Sequence, residues 1–122
     1  MPKLETGASE AEPQPHQMLL IFSTCPDQQT ADHIAETLIS ERLAACVNIL
    51  PGATSVYEWK GKIERDQEWV LLIKSRRACF ARLQQRLIEL HPYELPEVIG
   101  VPVTEGLSGY LEWVERCTPC AD

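Results

Sequence analysis

The chain has 122 residues, 18 of them acidic and 11 basic, for a formal charge of −7. That is one domain's worth of sequence, domains running to about 100–200 residues, and it lacks the basic excess that gripping a phosphate backbone requires, so nucleic acid is not the expected partner. No stretch approaches the roughly 20 apolar residues of a membrane span, which removes the membrane as well.

Residues 1–16 carry Pro2, Pro13 and Pro15 with Glu5, Glu10 and Glu12, and read as a disordered tail. The folded domain is expected over 17–116. Residues 18–24, a short apolar run bounded by Cys25-Pro26-Asp27, predict a central strand buried on both faces. Ala31, Ile34, Ala35, Leu38 and Ile39 then fall on one helix face, with Asp27 or Thr30 as its cap. Strand character returns over 45–56, where Pro51-Gly52 predicts a bulge. Trp59-Lys60-Gly61-Lys62 signals a turn into a strand over 63–75, with Glu68 and Lys74 an expected ion pair at the hairpin base. Phe80, Leu83, Leu87 and Leu90 make the stripe of a second helix. It ends at His91, because a residue before proline disfavours helix. Residues 98–103 predict a fourth strand, and Leu107, Tyr110, Leu111 and Val114 a short last helix. Residues 117–122 read as a C-terminal tail.

The order β-α-β-β-α-β plus a terminal helix predicts an α+β fold, a ferredoxin-like sandwich with a long central hairpin. A small open α/β sheet and an unrelated α+β sandwich are the alternatives. The hairpin over 45–75 has arms longer than the usual 5–6 residues. It carries Val56, Tyr57, Trp59, Ile63 and Trp69. Two helices cannot cover so long a sheet, so these residues are expected to bury against another copy of the chain.

Five cysteines cannot all pair within one chain. No secretory signal precedes them, so free thiols in a reducing cytoplasm are expected. Cys46 reads as a core residue and Cys79 as filler. Cys117-Thr118-Pro119-Cys120 follows a helix instead of opening one, and reads as a tail pair able to close locally on oxidation. His16 and His33 are expected in solvent. His91 is better placed, at a helix end beside Tyr93, Glu94 and Glu97. Arg76, Arg77, Arg82 and Arg86 read as a solvated face or, less simply, as an anion site. No nucleophile elbow, phosphate loop or dinucleotide motif occurs, so no enzymatic activity is expected.

The segments Cys46-Val47-Asn48-Ile49, Pro51-Gly52-Ala53-Thr54-Ser55, Tyr57-Glu58-Trp59-Lys60-Gly61-Lys62-Ile63, Leu72-Ile73-Lys74-Ser75, His91-Pro92-Tyr93-Glu94-Leu95-Pro96-Glu97 and Tyr110-Leu111-Glu112-Trp113, in this order, resemble the CutA divalent-cation tolerance family over about residues 18–116. The resemblance implies a ferredoxin-like fold, a homotrimer built on the long hairpins and tolerance of divalent metal ions, copper in particular, without established catalysis. It also implies a trimer architecture like that of the PII signalling proteins. Family copper ligation is ascribed to a cysteine ending the first strand and to two histidines before the Pro-Tyr pair. Here Ser23 and Leu90 stand at two of those places, and His91 carries over. Cys25, two residues beyond Ser23, would point to the same side and supply a soft ligand, so His91 and Cys25 are the expected metal residues. A PII-like anion-binding module and a protein-interaction scaffold are the alternative readings.

Overall fold

The structure, a computed structural model, describes residues 14–121. Residues 1–13, most of the expected N-terminal tail, lie outside the described residues.

Strand alternation sets the core. β1 (Met18–Cys25) buries Leu19, Ile21, Ser23 and Cys25, while the residues between them are half-buried. The expectation of burial on both faces is thereby corrected: helices cover one face, and the other is only partly covered within a single chain. α1 (Gln28–Ser40) starts at Asp27, whose carboxylate accepts the Thr30 N–H at 2.7 Å. It buries Ala31, Ile34, Ala35 and Leu38, and leaves Ile39 exposed.

β2 (Cys46–Trp59) and β3 (Lys62–Arg76) form the hairpin. Lys60 and Gly61 both take positive φ, 53° and 84°, which suits the twist of a two-residue turn. Pairing shifts register between Leu50 and Ala53, where Pro51 and Gly52 sit. After one 3-10 turn, α2 (Phe80–Leu90) buries Leu83 and Leu87. His91 then goes extended ahead of Pro92, and the helix ends. β4 (Ile99–Pro102) and α3 (Ser108–Cys117), which buries Val114, complete the chain.

The sheet runs β2-β3-β1-β4, antiparallel at each pairing. This is the ferredoxin-like arrangement. Ile21 and Ile73 from the sheet meet Ile34, Leu38, Leu83 and Leu87 from the helices in one core. Trp69, expected on the outer hairpin surface, packs against that core instead. Its partner in register is Cys25 at the end of β1, so it sits where the sheet is still three strands wide.

The C-terminal segment differs from expectation. Thr118 and Cys120 are buried, and Cys120 forms a disulfide with Cys79 across 41 residues of sequence. The cysteines are therefore not all free thiols, and the Cys117–Cys120 pairing is replaced by a longer-range one. Only Cys25, Cys46 and Cys117 are unpaired. Arg76, expected in solvent, is buried. Its Nε donates to Thr118 O at 3.0 Å and to Thr118 Oγ1 at 3.1 Å, and its Nη2 donates to Cys120 O at 3.0 Å. The returning backbone thus offers carbonyls where open solvent was expected. At the other end, Pro15 O and Gln17 O accept from Ala78 N and Arg77 N at 2.9 Å, extending the packed unit slightly ahead of residue 17. Among the described residues no helix is long and apolar enough to cross a membrane.

Candidate functional site

The end of α2 and the end of β1 meet at His91. Its Nδ1 accepts the Tyr93 N–H at 3.2 Å, so its hydrogen is assigned to Nε2, which donates to Thr24 O at 2.7 Å. The ring is 8% exposed and stacks at a tilt on Tyr93, with centroids 4.7 Å apart. Both nitrogens are occupied. Cys25, next to Thr24, is fully buried. Burial, with smaller contributions from the charges of Asp27 and Glu68, pushes its thiol up to about 12. A soft metal needs a thiolate and a free imidazole lone pair. The two expected ligands lie in adjoining segments, the ring with both nitrogens hydrogen-bonded and the thiol buried. Among the described residues no three His, Cys, Asp or Glu side chains come together as a metal cluster. Ser23, two residues before Cys25 on β1, has a buried Oγ with no hydrogen-bond partner.

A second cluster lies beside this one. Glu68 on β3 is only 5% exposed. Its Oε1 accepts from Ser55 Oγ at 2.6 Å and its Oε2 from Tyr93 Oη at 2.6 Å. One carboxylate thus ties the hairpin to the loop after α2. One step outward, Tyr57 Oη donates to Asp66, and this hydrogen bond pushes the Tyr57 phenol up to about 12. Burial, then the Glu68 hydrogen bond, push the Tyr93 phenol up further. Ser55–Glu68 and Tyr57–Asp66 are both diagonal pairs across the hairpin, within reach of side chains on one sheet face. Around them opens a cleft of about 620 Å³, walled by Val56, Trp59 and Leu95 and rimmed by Glu94 and Glu97.

The expected Glu68–Lys74 ion pair is absent for a geometric reason. The two are six residues apart on an extended strand, roughly 20 Å. Lys74 instead donates to Asn48 across the inner hairpin. The cleft itself went unread in the sequence. Its one signal was the Tyr-Glu-Leu-Pro-Glu run after His91, which has no helical or strand period and so had to pack on something. The arginines do not gather into an anion site. Arg86 pairs with Glu41 at 3.0 Å and Glu89 at 3.1 Å, Arg76 is held by backbone carbonyls, and Arg77 and Arg82 are exposed.

The chain is thus a small ferredoxin-like protein whose hairpin outruns its helices and borders a cleft. Residues 19–117 match the family described as CutA1 divalent ion tolerance protein. The chain belongs to that family. It is 44% identical over 99 residues to the divalent-cation tolerance protein CutA of Thermus thermophilus, covering 81% of this chain and 96% of that one. It is 46% identical over 97 residues to human protein CutA, covering 80% of this chain and 54% of the human one. The chain thus spans nearly all of the bacterial relative and about half of the human one. Among solved structures, CutA from Xylella fastidiosa is similar at a TM-score of 0.82 and 51% identity, covering 84% of this chain and 98% of that one. The Thermus thermophilus protein is similar at a TM-score of 0.82 and 44% identity, covering 83% and 98%.

Proposed function

We propose that the chain acts as a homotrimer in tolerance of divalent metal ions, copper among them, without catalysis of its own. The observation that carries the assembly is the uncovered hairpin: Ile63 is 77% and Val56 55% exposed, and Tyr57 and Trp59 stand beside them. Leu20, Phe22, Val70 and Leu72 are half-buried on the sheet face away from the core. Apolar surface gains about 25 cal/mol per Å² when it leaves water, and a long exposed hairpin is a pairing hazard unless covered. Another copy of the chain supplies that cover, and the count of three follows the family resemblance. The link to metals rests on the relatives, which are named for divalent ion tolerance.

Direct copper ligation by His91 and Cys25 is the finer form of this reading. It requires the ring to leave Thr24 or Tyr93 and the thiol to lose its proton. A copper titration of the wild-type chain, His91→Ala and Cys25→Ala decides it. Weaker binding in both variants supports ligation by the pair, and equal binding in all three removes the pair from the reading. The broader function is tested by growth at raised copper in cells lacking their own copy. The wild-type chain should restore tolerance and a Val56→Asp/Ile63→Asp chain should not. Equal rescue by both would separate tolerance from assembly.

A further inference from the structure

We propose that the Cys79–Cys120 disulfide is a redox latch: a thiol reductant opens it and lets α3, with the segment that follows, leave the sheet. This goes beyond metal tolerance and does not rest on it.

The helix needs the latch because little else holds it. α3 has Leu107 at its N-cap with no side-chain hydrogen bond there, and Gly109 in its first turn. A helix shorter than about 12–15 residues is marginal unless it is packed, and glycine weakens it further. Yet Val114 is the one buried residue of α3. Leu111 and Val114 line a cavity of about 400 Å³ with Met18 and Val103, so packing beneath the helix is loose. The remaining ties gather at its C-terminal end. Arg42 Nη2 donates to Arg116 O at 3.1 Å, in an exposed position. Thr118, fully buried, donates from Oγ1 to Val114 O at 2.7 Å and accepts from Arg76 Nε at 3.1 Å. Cys120 is held by its bond to Cys79 and by Arg76 at its carbonyl.

The bond is placed to be reduced. Over residues 118–121 burial alternates, Thr118 and Cys120 turning inward, Pro119 and Ala121 outward. Cys120, 7% exposed, is therefore the sulfur that an incoming thiolate reaches, because Cys79 is fully buried. Attack on Cys120 Sγ forms a mixed disulfide and breaks the bond to Cys79, whose sulfur leaves as a thiolate. Cys79 stands at the N-cap of α2, where the positive end of the helix favours that thiolate until it takes a proton. The second thiol of a dithiol reductant then displaces Cys120. The reductant departs as its own disulfide, and two electrons and two protons have passed to the protein. With the bond open, the Arg76 hydrogen bonds compete with water, and no crosslink joins α3 to the rest of the fold.

The test is amide hydrogen exchange of the full chain, read by mass spectrometry in the first minutes, before and after reduction by dithiothreitol. Residues 108–121 should exchange about tenfold faster after reduction, while β1 and β3 keep their protection. Oxidised glutathione should restore the slow exchange. Cys120→Ser should show the fast exchange without reductant, and Cys117→Ser should behave as wild type in both states. Equal acceleration throughout the chain would overturn the proposal, because the disulfide would then staple the whole fold. Unchanged exchange over 108–121 once both cysteines are reduced would overturn it too, as would a bond that dithiothreitol reduces only in denaturant. If Cys120→Ser does not fold, the two redox states of the wild-type chain decide the matter without it.

Discussion

His91 bridges two segments 67 residues apart: its Nε2 lies 2.7 Å from the Thr24 carbonyl oxygen while its Nδ1 accepts the Tyr93 N–H. The ring therefore pins the end of α2 to the end of β1 and aims Tyr93 at Glu68. His91→Ala removes one hydrogen-bond partner each from the Thr24 carbonyl and the Tyr93 amide at a part-buried site. The expected cost is about 1–3 kcal/mol, read as a lower urea midpoint. A midpoint equal to wild type would mean the bridge contributes nothing.

The Cys79–Cys120 disulfide fastens the C-terminal segment over Arg76. Closing a loop of that length is worth roughly 4 kcal/mol in the chain-entropy account, with native strain lowering the yield. Dithiothreitol, or Cys120→Ser, should lower unfolding stability by about 2–4 kcal/mol. Cys117→Ser should change it little. In native, unreduced protein an alkylating reagent should label the half-buried Cys46 and Cys117, and reach buried Cys25 only on unfolding. A Cys117–Cys120 peptide in the digest would contradict the pairing.

Cys25 sets an alkaline limit. Its thiol is raised from 9.0 to about 12, chiefly by burial, so the folded state holds that proton more tightly than the unfolded chain does. Its contribution is complete below pH 9 and is lost as pH rises through about 12. Urea midpoints should fall across that window, and fall less steeply in Cys25→Ala, with a residual slope from the raised tyrosines. An unchanged slope in Cys25→Ala would contradict the assignment.

Ser23 is the reverse case, a buried hydroxyl with no partner. An unsatisfied buried polar group costs about 1–3 kcal/mol. Ser23→Ala should therefore stabilise the fold by about 1 kcal/mol and raise the melting temperature by a few degrees. A drop would show that the hydroxyl has a partner after all.

The elements were legible because their signals are local. Asp27 caps α1, Pro51-Gly52 breaks register, Lys60-Gly61 turns the hairpin and Pro92 stops α2. What stayed hidden depends on distance along the chain. Nothing near Cys120 says that Cys79, 41 residues away, is its partner, or that Arg76 waits there to bind its carbonyl. The Glu68–Tyr93 bond likewise joins segments 25 residues apart through a loop without period. Of the expected metal residues, His91 was legible as the end of α2 beside Tyr93, but nothing local said that its ring would reach the Thr24 carbonyl, 67 residues away.

In the proposed assembly two further copies of the chain cover the exposed hairpin. Sedimentation velocity at micromolar concentration tests it most directly. A single species of three times the 13.8 kDa chain mass is expected, shifting to one chain in Val56→Asp/Ile63→Asp. A stable wild-type species at 13.8 kDa would contradict it.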